Sequence, residues 1–373
     1  MAWEVKKLRD VCKKGSSNVS IKKIIDEDGD YPIYGAKGFI KNVSFYHQDK
    51  KYISIIKDGA GIGRIEFRDA FSSVIGTLQY LIPNPEIDIK YLYYFLSGIN
   101  FKKYSRGAAI PHIYFKDYSN EEILIPPLPV QKQIVAKLDQ CFEAIDKAKA
   151  NAAKNLENAK ELFQSKLNDI FSQKGEGWVE KKLGDISDIT YGFTAKSDVV
   201  GDFRYVRITD IDNNGELIST GKKYISSSKD AKKFILKDND ILMARTGATF
   251  AKLLLYKDIE PSIFASYLIK IDFTESIDNE FYWFYTKSNS YWDQANTLST
   301  GSAQPHFNGK ALKQVLFPYP VSKIEQSRLI NVFKRFQSKT QSLESKYQQD
   351  LNSLEELKKS ILQKAFSGEL VKN

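Results

Sequence analysis

Between Pro129 and Gly175 the chain contains neither proline nor glycine. The stretch opens Pro126-Pro127-Leu128-Pro129-Val130-Gln131 and runs to Gln173. Within it, apolar or small residues recur at spacings of three and four: Ile134, Leu138, Cys141, Ile145, Ala148, Ala152, Ala159, Leu162, Phe163, Leu167 and Ile170. That period belongs to an amphipathic helix and not to a strand. The prolines set its start, because proline fits a first helical turn and disrupts a helix interior. A helix of about 45 residues is roughly 68 Å long at about 1.5 Å per residue, far beyond the globular average. Few folds accommodate such an element.

The same element occurs twice. From Pro320 to Phe366 a second stripe reads Leu329, Val332, Phe333, Phe336, Thr340, Leu343, Tyr347, Leu351, Leu354, Ile361 and Ala365. The two stretches align at an offset of 195, pairing Gln131 with Gln326, Leu162 with Leu357, Leu167 with Leu362 and Phe171 with Phe366. Two long helices with one apolar stripe each bury those stripes most simply against each other. The bland alternative is that each packs along its own domain.

The segments before the helices are also copies. Trp3-Glu4-Val5-Lys6-Lys7-Leu8 returns as Trp178-Val179-Glu180-Lys181-Lys182-Leu183, at an offset of 175. Lys57-Asp58-Gly59 corresponds to Arg245-Thr246-Gly247, Tyr91 to Phe95 corresponds to Phe281 to Tyr285, and Gly107 with Pro111-His112 corresponds to Gly301 with Pro305-His306. Offsets that grow slowly from 175 to 195 are those of a tandem duplication with loop insertions. The expected domains are 1–125 and 174–320, followed by helices 126–173 and 321–373. Each domain reads as mixed α/β. Strands are expected at 51–56 and 76–82, with a helix at 89–96; in the second copy strands are expected at 205–208, 241–245, 252–256 and 266–271, with a helix at 279–287. Gly368 stops the second helix, and its continuation would run into Trp3, so the termini are expected to lie close together.

Composition narrows the function classes. Cys12 and Cys141 make no disulfide framework, which fits a reducing cytosol. No 18-residue apolar span or apolar leader is present, so a cytoplasmic protein with no membrane association is expected. Net charge is +9, which admits a polyanionic partner. The charge is uneven: residues 1–125 carry 19 basic and 15 acidic residues, whereas residues 174–320 carry 19 of each. Nucleic-acid binding would require the charges to be sorted onto one face.

Catalytic constellations are lacking. No dinucleotide or phosphate-binding glycine loop occurs, and Gly59-Ala60-Gly61-Ile62-Gly63 lies between strands with no helix behind it, as a turn would. His47, His112 and His306 have no metal-ligand spacing with the cysteines. His112 and His306 each close a Gly-x3-Pro-His segment. Either the proline fixes a loop that the histidine ties down by hydrogen bonds, or the loop touches DNA, since His and backbone amides bind phosphate.

Taken in order, the chain resembles the specificity (S) subunit of Type I restriction–modification systems. The resemblance rests on Trp3 to Leu8 and its copy, Tyr31-Pro32-Ile33-Tyr34-Gly35-Ala36-Lys37-Gly38, Asp58 to Gly63, Pro111-His112, Ile125 to Pro129 with Gln131, and Ala365 to Leu370. One departure is Pro-Val-Gln at the start of the first helix, where the family usually has an acidic residue before the glutamine; Glu325-Gln326 keeps it. The resemblance implies two similar globular target-recognition domains in a pseudo-two-fold repeat, separated by two long antiparallel helices forming a coiled-coil spacer. Each domain would read one half of a split sequence in double-stranded DNA. The spacer would carry two modification (methyltransferase) subunits, and restriction subunits would complete the assembly. S-adenosylmethionine, ATP and Mg would serve those partners. No cofactor, metal or catalysis is expected of this chain itself. The loop candidates for DNA contact are Tyr34, Lys37, Lys57, Arg64, Arg106 and His112 in the first domain. In the second they are Lys196, Arg207, Arg245, Thr246, Gln304 and His306. The main rival is a protein-interaction adaptor on a coiled-coil ruler that does not bind DNA, which the neutral second domain favours. A second is an enzyme with an unfamiliar site, against which stands the lack of a paired nucleophile and base.

Overall fold

The computed structural model describes residues 3–107, 109–212, 214–258, 260–301 and 306–370. The first domain contains β1 (Glu4–Lys7), β2 (Cys12–Ser16), β3 (Tyr31–Gly35), β4 (Gly38–Val43), β5 (Tyr52–Ile56), β6 (Ile65–Arg68), β7 (Ser73–Val74) and β8 (Leu78–Pro83). After the helix Ile89–Gly98 it closes with β9 (Glu122–Ile125). The second contains β10 (Trp178–Lys182), β11 (Ser187–Tyr191), β12 (Phe203–Val206), β13 (Tyr224–Ile225), β14 (Ile241–Ala244), β15 (Leu253–Leu255), β16 (Ser262–Phe264) and β17 (Leu268–Phe273). The helix Asn279–Tyr285 then leads to β18 (Leu316–Pro320).

The two copies share one topology. A four-stranded sheet runs β2-β8-β5-β6 in the first and β11-β17-β14-β15 in the second. A three-stranded sheet runs β4-β3-β7 and β13-β12-β16, with β3–β7 and β12–β16 parallel. The inner strands are read easily from sequence: β5 (Tyr-Ile-Ser-Ile-Ile) and β14 (Ile-Leu-Met-Ala) are buried at every position. A strand with partners on both sides and cover on both faces is largely apolar; the one polar member, Ser54 of β5, accepts from Arg68 Nε at 3.1 Å. Antiparallel pairs β1–β9 and β10–β18 bring the start and end of each domain together.

Contacts divide the chain into two units, residues 1–153 with 348–373 and residues 154–347. The long helices Leu128–Gln173 and Lys323–Phe366 each contribute to both. In the first unit Ile134, Leu138, Phe142 and Ile145 share a core with Leu8, Tyr91, Leu362 and Ala365. Lys149 pairs with Glu355, and Asp146 with Lys358 at 3.1 Å. In the second unit Leu167 and Phe171 share a core with Leu329 and Phe333, and the Phe171 and Phe333 rings stack at 5.6 Å. Lys166 Nζ lies 6.0 Å from the Phe336 ring centroid, so in each unit numbers rise along one helix as they fall along the other, and the pairing is antiparallel.

Two members of the expected seams lie outside the core. Leu162 is 48% exposed and Leu343 36%. The buried and half-buried line runs Ala159, Phe163, Leu167, Ile170. Leu162 stands about 100° round the helix from Phe163, off a stripe narrow enough for one partner helix.

Each long helix is fastened at its start by a buried glutamine. Gln131 Oε1 accepts the Asp88 N–H at 2.8 Å, and its Nε2 donates to the carbonyls of Glu86 (3.0 Å) and Pro126 (2.9 Å). Gln326 repeats this with the Asp278 N–H (2.7 Å) and the carbonyls of Ser276 (3.1 Å) and Pro320 (2.9 Å). Asp88 and Asp278 in turn cap the shorter helices through Lys90 and Glu280 N–H. At the other end, Phe366 packs on Tyr91 and Phe95 in the first unit, and Phe171 on Phe281 and Tyr285 in the second. Gly368 lies beside Trp3, where an added methyl would stand 3.3 Å from the indole ring. The two ends of the described chain therefore meet in the first unit, as the duplication implies.

Lys287 gives the second unit an unusual pH response. Its Nζ lies 3.7 Å from the Trp283 ring centroid and donates to the Asn214 carbonyl. Burial pushes its pKa down to about 8, against the opposing pull of Glu216 and Asp212. Between that value and the unfolded lysine's of about 10.4 the unfolded state binds more protons, so stability rises with pH across this window. Denaturant titrations at pH 7.5 and 9.5 should show a gain of about 1–2 kcal/mol, which Lys287→Met removes. At higher pH the buried Tyr282 and Tyr291, both pushed up by burial, reverse the trend.

Candidate nucleic-acid interface

Backbone hydrogen bonds join the candidate loops of the first domain into one strip. The Tyr34 carbonyl at the end of β3 accepts from Ile75 (2.9 Å), the Thr77 carbonyl accepts from Lys57 (3.0 Å), and the Lys57 carbonyl accepts from Ile113 (2.9 Å). His112 exchanges both backbone bonds with Arg106, at 2.8 and 2.9 Å, and bridges to Asp58. The glycine segment is a turn: Gly63 N–H donates to the Ile56 carbonyl (2.9 Å) and Arg64 N–H to Gly61 (3.1 Å). Gly63 needs its residue type, since φ is +81° and a Cβ would stand 2.4 Å from Phe101 Cβ.

The second domain repeats the strip bond for bond. The Val206 carbonyl accepts from Ala265 (2.9 Å), Tyr267 from Arg245 (3.1 Å), and Arg245 from Phe307 (2.9 Å). His306 exchanges backbone bonds with Thr300 and bridges to Thr246. The structure thus brings Lys57, Arg106 and His112 together in one domain, and Arg245, Thr246 and His306 in the other. The histidine backbones are structural staples. The half-buried His112 ring meets Tyr114 edge-on at 5.1 Å, with Nδ1 3.3 Å from the Ile110 carbonyl, while His306 is exposed.

The side chains are less uniform. Lys37 is exposed at the β3–β4 turn. Tyr34 is half-buried under Arg68, whose guanidinium carbon is 4.0 Å from the ring centroid. Lys57 lies 3.4 Å from Asp58, both half-buried, and the exposed Arg64 3.5 Å from Glu66; both pairs are loose. Arg106 is held by Asp117 at 2.7 Å. Arg207 is engaged locally: Asp210 accepts from the Arg207 Nε at 3.1 Å, from a terminal guanidinium nitrogen at 2.7 Å and from the Arg207 backbone N–H at 2.9 Å, holding the guanidinium firmly protonated. Lys196 is exposed on the segment between β11 and β12, and among the described residues no hydrogen bond or ion pair joins its side chain to the strip. Gln304 lies outside the described residues.

Sequence reasoning passed over two residues. Tyr191 and Tyr267 lie 5.5 and 5.2 Å from the Arg245 guanidinium carbon, measured to their ring centroids. Tyr267 precedes β17 as Thr77 precedes β8, and Tyr191 ends β11 as Ser16 ends β2. Strand-end alignment of the two copies marks the positions, but a tyrosine beside a strand reads as core. Among the described residues no group of three His, Cys, Asp or Glu is placed to hold a metal, and no helix is long and apolar enough to cross a membrane.

Comparison with known proteins follows the duplication. The family model described as Type I restriction modification DNA specificity domain matches residues 2–155 and again 175–353. The chain is 25% identical over 329 residues to the Type I restriction enzyme StySPI specificity subunit of Salmonella potsdam, covering 82% of this chain and 70% of that one. It is 26% identical over 350 residues to the MjaVIII specificity subunit of Methanocaldococcus jannaschii, covering 86% and 80%. Two solved structures share the fold. One, from work on complex assembly and conformational transition of the type I R-M system, has a TM-score of 0.79 at 16% identity and covers 99% of this chain and 98% of its own. The HsdS subunit of Thermoanaerobacter tengcongensis has a TM-score of 0.60 at 17% identity, covering 99% and 97%.

Proposed function

The chain belongs to the Type I restriction–modification DNA specificity family, and from that membership we propose that it recognises a bipartite DNA target, one half-site per domain. The reading further holds that the paired helices set the gap between half-sites and carry two modification subunits. Those subunits would methylate adenine with S-adenosylmethionine; restriction subunits would use ATP and Mg. This chain would select the position and catalyse neither step.

The observation that carries the reading is the duplicated strip. One backbone framework presents Lys57, Asp58, Arg106 and His112 in one copy and Arg245, Thr246, Thr300 and His306 in the other. Identical backbone with different donors and acceptors suits two readers of different sequences, since base edges are distinguished by donor and acceptor pattern. Cationic members on the same strip supply phosphate contacts that set register.

The test is the adenine methylome of cells expressing this chain with its modification subunit, against cells lacking the chain. A split motif of fixed gap should appear only when the chain is present. Methylation that is present but unchanged would overturn the reading and leave the adaptor in its place.

A further inference from the structure

Arg245 differs from the other arginines of the globular domains. Arg9, Arg64, Arg68, Arg106, Arg204 and Arg207 each lie within ion-pair distance of a carboxylate. Among the described residues Arg245 has neither a carboxylate nor a hydrogen bond to its guanidinium, and its Nε is buried without a partner. Two tyrosines flank it instead. Tyr191 is 42% exposed and Tyr267 53%. The Tyr191 hydroxyl accepts the Gly309 N–H at 3.0 Å, which fixes that ring. The Arg245 backbone is fixed on both sides by Tyr267 and Phe307. A planar cation held against two aromatic rings has already lost much of the rotamer freedom that binding would cost it.

The corresponding positions in the first domain are Lys57, Thr77 and Ser16, and there the cation lies beside Asp58. A contact whose task is to neutralise a phosphate would need no such change at the same backbone point. Partly exposed aromatic side chains beside the cation also fit a base edge better than a strongly hydrated phosphate. The geometry points to Arg245 as a guanine reader: its fork donates to O6 and N7 of one guanine in the second domain's half-site, with Tyr267 and Tyr191 as positioning residues. This rests on the proposed function above and adds to it one base and one side chain.

The test uses the chain assembled with its modification subunit, methylating a DNA library with the second half-site randomised and the first held constant. The wild type should require a guanine, on either strand, at one position of the second half-site. Arg245→Lys keeps the charge but loses the fork, so preference for that guanine should fall about fivefold to about 150-fold, the loss of one bidentate contact. The first half-site should be unaltered. Tyr267→Ala should weaken the same single preference, and Tyr267→Phe should retain it, which separates positioning from general loss of structure. A second half-site without any G·C pair, or an unchanged preference in Arg245→Lys, overturns the assignment while leaving the bipartite reading intact. Equal weakening on every sequence would make Arg245 a phosphate contact and overturns it too. A wild type that gives no motif at all removes both proposals.

Discussion

Phe171→Ala should lower the stability of the second unit by about 3–5 kcal/mol, the cost of emptying a buried phenylalanine site. Phe171 is 3% exposed and packs on Phe281, Tyr285, Phe333 and Trp178 at centroid distances of 5.1 to 6.1 Å. These rings come from the second long helix, the domain helix and β10, three separately anchored elements, so they cannot collapse into the space together. Aromatic pairs add about 0.5–1.5 kcal/mol beyond area burial, which favours the upper end of the range. The melting temperature should fall by about 10 °C. Phe171→Leu restores most of the volume and should recover more than half of the loss. A calorimetric scan of the three proteins decides it; a fall of less than about 2 °C in the alanine variant would show that the helix end is not fastened there.

Gln131→Leu should cost about 2–4 kcal/mol despite replacing a polar group by an apolar one of similar size. The glutamine is fully buried, and its loss strands the Asp88 N–H and the carbonyls of Glu86 and Pro126. Each buried group left without a partner costs about 1–3 kcal/mol, and partial rehydration limits the sum. Gln326→Leu should cost about the same, because its three bonds match within 0.1 Å. Equilibrium urea unfolding of each variant gives the value. Unequal costs would mean that the two joints, alike in geometry, differ in how well they exclude water.

Much of this architecture was legible from sequence because it depends on local, repeated signals. Strand β14 is an uninterrupted apolar run, and β5 is one broken only by Ser54. The long helices lack breakers for more than 40 residues. Gln131 and Gln326 were visible as a matched pair at an offset of 195, although their three-bond joint was not. Leu162 was misplaced because a simple three-and-four spacing does not mark the edge of a stripe, and one residue shifts a side chain by about 100°.

The candidate interface was legible only in fragments. Pairing Lys57 with Arg245 and His112 with His306 required matching the copies alone. Tyr191 and Tyr267 are 76 residues apart, and nothing in their spacing announces that they flank Arg245. Likewise the sequence makes Arg207 and Arg245 equivalent candidates, while the fold commits Arg207 to Asp210 and leaves Arg245 between rings.

By itself, then, the sequence determined the duplication, the two helices and the family, since each is written in period, spacing and self-similarity. Tertiary structure decided which cations meet a carboxylate, which lie against aromatic rings, and which backbone segments form one strip. Those properties arise from contacts between residues distant in the chain, where burial and neighbouring charge determine what each side chain has left to offer.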